Sequence, residues 1–169
     1  MSIESIYQEI NNTTFFHEWS RNKKFLGNIF IDFKNKSVKS IFDPNRAKCK
    51  GVYLLSDQVW TCCENLYTGV SSGKSSEIIG RVKSHIRSIK IAIGSKRGSS
   101  NERSGEKIVN HFKDKDYAVL TVEYIDLEQY KLKGLPNLLE QNLIPVLQGV
   151  LNQENQNKTN NVVKISEAA

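Results

Sequence analysis

The chain is poor in cysteine and lacks both long apolar runs and internal repeats, and each deficiency removes a class of protein. No hydrophobic stretch approaches the roughly 18 residues that read as a membrane helix, so no membrane partner is expected. The three cysteines, Cys49, Cys62 and Cys63, are an odd number, and the adjacent Cys62-Cys63 has no CxxC spacing. A zinc clip or dithiol redox centre is therefore disfavoured, and reduced structural thiols are expected. The opening residues, MSIESIYQEI, carry no basic flank followed by an apolar stretch, so no secretory signal is read there and a cytoplasmic location is expected. With 169 residues, 38% of them hydrophobic and 25% charged, the chain can bury a core as one globular domain without disulfide or metal staples.

What the sequence does have is positive charge in one place. Residues 74–107 hold nine basic side chains, Lys74, Arg81, Lys83, Arg87, Lys90, Lys96, Arg97, Arg103 and Lys107, against the three acids Glu77, Glu102 and Glu106. That surplus of nine minus three equals the net charge of the whole chain, +6. A local positive field of this kind suits a polyanion such as nucleic acid.

Hydrophobic periodicity divides the chain. Residues 1–46 read as an extension: a short amphipathic helix in IESIYQEI, then NIFIDF and SVKSIF as two short strands around a polar turn. Asp43-Pro44-Asn45 marks the turn into a core over residues 47–152. Lys50 to Leu55 predicts a strand, and Glu64 to Val70 a second one close enough to pair antiparallel with it. Serines in SSGKSSE are N-cap candidates for a helix over Ser76 to Lys90, whose buried stripe would be Ile78, Val82, Ile86 and Ile89. Arg81 and His85, four apart, share one flank of that helix, with Lys83, Arg87 and Lys90 on the opposite side. GSKRGSSNERSG predicts a mobile basic loop, GEKIVNHF a short helix, Tyr117 to Ile125 a third strand, and Leu135 to Leu147 a helix bent by Pro145. Residues 153–169 are too polar to pack.

Gly51-Val52-Tyr53 and Tyr67-Thr68-Gly69 sit on the first two core strands, followed by a basic helix bearing Arg81 and His85, then Glu140 and, twelve positions on, Asn152. This order resembles the GIY-YIG nuclease family, closest to its type II restriction endonuclease branch, over about two thirds of the chain. Isoleucine in both name motifs is replaced, by Val52 and Thr68, and the segment between the basic helix and the third strand is expanded. The resemblance implies an α/β domain of the α+β type, with a small central antiparallel three-stranded sheet flanked by helices. It also implies a Mg²⁺-dependent (or Mn²⁺-dependent) DNA endonuclease.

In that family the first motif tyrosine, here Tyr53, activates the attacking water, with Tyr67 as its second motif partner. Arg81 would bind the scissile phosphate, His85 assist proton transfer, Glu140 hold the metal and Asn152 complete the site. Hydrolysis of a phosphodiester needs such a set: a base for the water, a cation on the phosphoryl oxygens and help for the leaving oxygen. A phenol with an ordinary value near 10 is a poor base unless positive charge lies beside it, which Arg81 and a metal would supply. Lys74, Lys83, Arg87, Lys96, Arg97, Asn101 and Arg103 are the expected DNA contacts, lysines holding phosphates while arginines and asparagines read base edges. The partner is double-stranded DNA, and cutting both strands of a symmetric site favours a homodimer.

Two other readings compete. Gly69-Val-Ser-Ser-Gly73-Lys74-Ser75 is one residue short of a phosphate-binding P-loop. A phage or other standalone nuclease, or a DNA-binding module of the same shape without chemistry, would also carry the basic segment.

Overall fold

Alternating apolar residues build the first hairpin. In β1 (Lys24–Asp32) Leu26, Ile29 and Ile31 are buried while Phe30 lies outward, and β2 (Ser37–Phe42) runs back along it from Phe42 opposite Gly27 to Ser37 opposite Asp32. Asn35 closes the turn by donating from its backbone and side chain to the two carboxylate oxygens of Asp32, both at 2.8 Å. A second hairpin, β3 (Gly51–Asp57) with β4 (Cys63–Ser71), pairs Tyr53 with Gly69 and Leu55 with Tyr67. The helices α1 (Ile78–Ala92) and α2 (Ser104–His111) follow, then β5 (Tyr117–Asp126). This computed structural model describes residues 23–57, 59–60, 63–71, 77–99, 104–126 and 128.

β5 is inserted between the two hairpins, giving one five-stranded antiparallel sheet in the order β2-β1-β5-β3-β4. The expected three-stranded sheet flanked by helices is thereby corrected: β1 and β2, read as an extension, belong to the same sheet. Two helices are present among the described residues. The error has a physical cause. A period of two tells which face of a strand is buried, but not which strand lies beside it, and β5 has the apolar residues to satisfy two neighbours. Ile29 faces Leu120 across one edge, and Leu55 faces Val122 across the other.

The predicted stripe of α1, Ile78, Val82, Ile86 and Ile89, is buried as expected at 8% exposure or less, and Ile79 is buried beside it. It joins Ile29, Ile31, Leu55, Leu120 and Val122 in one hydrophobic cluster. α1 starts at Ile78 rather than Ser76, with Glu77 as N-cap and no side-chain cap. Its first two N–H groups instead donate to loop carbonyls, Ile78 to Cys49 at 2.9 Å and Ile79 to Ala47 at 3.1 Å. Ala47 adopts φ 56, a left-handed conformation seldom taken by a residue with a Cβ. α2 begins at Ser104, one residue before the predicted GEKIVNHF helix, so Ser104, which the sequence places in the basic loop, is helical. The helix expected over Leu135 to Leu147 and the expected tail lie outside the described residues.

Candidate active site

Glycine in the second motif makes room for the tyrosine of the first. Tyr53, in the middle of β3, lays its ring across β4 at Gly69. A Cβ on Gly69 would stand 2.2 Å from both Cζ and Oη of that phenol, so no larger residue fits while the ring stays. Tyr67, two residues earlier on β4, shares this face, with its ring centroid 6.4 Å from that of Tyr53.

α1 brings the third member. His85 is fully buried, its ring 5.0 Å from Tyr67 in an edge-on contact, with its Nε2 2.5 Å from the Tyr53 hydroxyl. The other ring nitrogen, Nδ1, is hydrogen-bonded to the Ser104 hydroxyl at the start of α2. Arg81 lies one helical turn before His85 and is half-buried. Tyr53, Tyr67, Arg81 and His85, far apart in sequence, therefore share one neighbourhood.

Burial first, and the Arg81 charge second, depress the His85 pKa from 6.5 to about 3. The imidazole is neutral at physiological pH. Because it is neutral in the folded state and titrates near 6.5 when unfolded, its contribution to stability is complete above 6.5 and is lost as pH falls from there toward 3. The limiting slope is about 1.4 kcal/mol per pH unit. Urea titrations at a series of pH values should show this acid slope, and His85→Gln, with no proton to take up at that position, should flatten it. Parallel profiles for the two proteins across that window would contradict the buried neutral imidazole.

The other expected DNA contacts divide. Lys83, Arg87 and Lys96 line a cavity of about 270 Å³ together with Ser40, Ile86 and Lys90. None of these four cations enters an ion pair among the described residues. Lys83, Arg87 and Lys90 recur at i, i+4 and i+7, on the flank of α1 opposite Arg81 and His85, so the groove and the tyrosine–histidine cluster lie on opposite sides of the buried stripe. Arg97 is exposed but does not line the groove. Lys74, Asn101, Arg103, Glu140 and Asn152 lie outside the described residues.

Sequence reasoning missed two residues. Lys90 was placed on the right flank of the helix but not counted among the DNA contacts. Ser40, on edge strand β2, carries no local signal, since only the pairing of the sheet brings it to α1. Ser104 was hidden because its glycine- and serine-rich surroundings read as loop.

Among the described residues no group of three or more histidine, cysteine, aspartate or glutamate side chains could hold a metal ion. The proposed ligand Glu140 is not among those residues. Cys49 offers no reactive thiol, because burial, followed by the nearby Asp126 charge, pushes its pKa up to about 12. No helix among the described residues is long and apolar enough to cross a membrane.

The P-loop reading meets three obstacles. Gly69 is a strand residue packed on Tyr53, and the first two N–H groups of α1, which such a loop would aim at phosphate, already serve Cys49 and Ala47. Among the described residues the sheet is antiparallel and shows no parallel crossover of the kind a nucleotide-binding βαβ unit needs. The chain matches no protein-family model, no curated protein and no solved structure.

Proposed function

We propose that the protein is a Mg²⁺- or Mn²⁺-dependent DNA endonuclease of the GIY-YIG type, acting on duplex DNA as a site-specific restriction enzyme and working as a homodimer. The observation that carries the reading is the direct hydrogen bond between Tyr53 and His85, with Tyr67 packed against His85 and Arg81 one turn away. A buried tyrosine needs only one acceptor to be satisfied. Here it meets an imidazole flanked by a guanidinium, a combination that can move a proton.

In this proposal Arg81 grips the scissile phosphate with its planar fork. Tyr53 takes a proton from the attacking water as its own hydroxyl proton passes to His85 Nε2. The resulting hydroxide forms the new P–O bond as the bond to the leaving oxygen breaks, and that oxygen departs with the bonding pair and is protonated by solvent water. Phosphate bound at Arg81 offsets the charge that depresses His85, so the imidazole becomes a better acceptor when substrate is present. Tyr53 and His85 are both fully buried, so the proposal requires the Arg81 flank to open toward the bound phosphate. Glu140 is the proposed holder of the metal, which when bound neutralises charge on the phosphoryl oxygens. The groove of Lys83, Arg87, Lys90 and Lys96 would hold DNA backbone away from the cleaved bond.

Plasmid digestion tests this reading. Wild type with Mg²⁺ should cut to discrete fragments, and Glu140→Ala should retain DNA binding while losing cleavage by at least about 100-fold. A smear would make the enzyme nonspecific, as expected of a standalone or phage nuclease. Binding without cleavage by the wild type would leave a DNA-binding module, and full activity of Glu140→Ala would remove that residue from the mechanism.

A further inference from the structure

His85 has two ring nitrogens and two hydrogen-bond partners, and only one partner has a place in the chemistry proposed above. The second, Ser104, is 3% exposed and belongs to a different helix. Its position is enforced. The next residue, Gly105, presses on α1 so closely that a Cβ there would stand 2.3 Å from the backbone carbon of Ser88 and 2.5 Å from its Oγ. Gly105 also donates its N–H to Ser88 Oγ at 3.1 Å. Ser88 lies one turn beyond His85, so this glycine–serine contact fixes the start of α2 against α1 and brings the Ser104 hydroxyl to Nδ1.

We infer that Ser104 is a positioning residue that holds His85 in the tautomer protonated on Nδ1, so that Nε2 is the acceptor facing Tyr53. The inference rests on the nuclease reading for its consequence, but the tautomer itself can be observed without any activity. The direction follows from matching donors to acceptors. Of the groups in this chain of contacts the phenol is the most acidic O–H, with an ordinary value near 10, and an unprotonated imidazole nitrogen is the best acceptor. Tyr53 therefore donates to Nε2, and the remaining ring proton on Nδ1 is donated to Ser104 Oγ. The opposite arrangement would aim Nε2–H at the phenol oxygen and leave no acceptor for the proton that Tyr53 must release. Ser104 gains no proton during the reaction. It prevents the ring from presenting the wrong nitrogen.

Nitrogen-15 spectra of the histidine rings decide the matter, with the His85 signals identified by their loss in His85→Gln. Wild type should show a protonated Nδ1 and an unprotonated Nε2. Ser104→Ala should lose this preference, and Ser104→Thr, which keeps the hydroxyl, should retain it. In plasmid digestion Ser104→Ala should lower kcat about 10-fold with KM little changed, and Ser104→Thr should recover most of the rate. A wild-type ring protonated on Nε2 overturns the inference whether or not a Ser104 variant folds. So does a folded Ser104→Ala protein with an unaltered tautomer, or one whose tautomer changes while kcat does not. If the wild type cleaves nothing with Mg²⁺, the nuclease reading fails by itself, while the spectra still establish or refute the role of Ser104.

Discussion

Tyr53→Phe is expected to slow Mg²⁺-dependent DNA cleavage by about 100-fold or more while leaving DNA binding nearly intact. The substitution removes one oxygen. In the proposed mechanism that oxygen receives the proton of the attacking water, and it is the hydrogen-bond partner of His85 Nε2. The same change strands a buried imidazole nitrogen, at a cost of about 1–3 kcal/mol. Rates must therefore be compared at a temperature where thermal denaturation shows both proteins folded. Cleavage within about twofold of wild type under those conditions would reduce the Tyr53–His85 pair to a packing element, because losing a merely structural hydrogen bond lowers activity only through the folded fraction. Binding measured by fluorescence anisotropy separates the outcomes further: a catalytic defect leaves affinity unchanged, whereas collapse of the site would weaken it.

Gly69→Ala should be among the most damaging single changes for stability, costing about 3 kcal/mol. The added methyl would occupy the space of the Tyr53 Cζ and Oη atoms, 2.2 Å from each. The ring cannot swing aside cheaply, since it is fully buried and tied to His85. Either the phenol leaves its pocket and the hydrogen bond breaks, or β3 and β4 separate locally. Gly80→Ala supplies the contrast. Gly80 is an exposed position inside α1, where an added Cβ meets nothing within 4 Å, so alanine there should stabilise by about 1 kcal/mol through helix propensity. Urea midpoints that move in opposite directions for the two variants would support the packing account. A Gly69→Ala protein as stable as wild type would show that Tyr53 does not lie where it is described.

Much of the secondary structure was legible because it depends on local chemistry. The stripe of Ile78, Val82, Ile86 and Ile89 identifies α1, and β-rich YAVLTVEYI identifies β5, within two residues at either end. The motif pair was also legible, but its physical meaning was not. That Gly69 exists to accommodate Tyr53 appears only once β3 and β4 are in register. Arg81 and His85 could be assigned to one flank from their spacing of four. Which partners His85 meets depends on where α2 docks, and that is set by the Gly105 contact with Ser88, seventeen residues apart in sequence.

By itself the sequence determined most of the described elements, the basic segment, the buried stripe of α1 and the candidate residues Tyr53, Tyr67, Arg81 and His85, because periodicity and charge are properties of neighbouring residues. Tertiary structure alone decided that the first hairpin joins the sheet through β5, that the flank of α1 bearing Lys83, Arg87 and Lys90 meets Ser40, and that Ser104 completes the tyrosine–histidine cluster. Each of these depends on contacts between segments distant in the chain. Such contacts are selected by total burial and backbone pairing across the whole fold, which no local window of residues records.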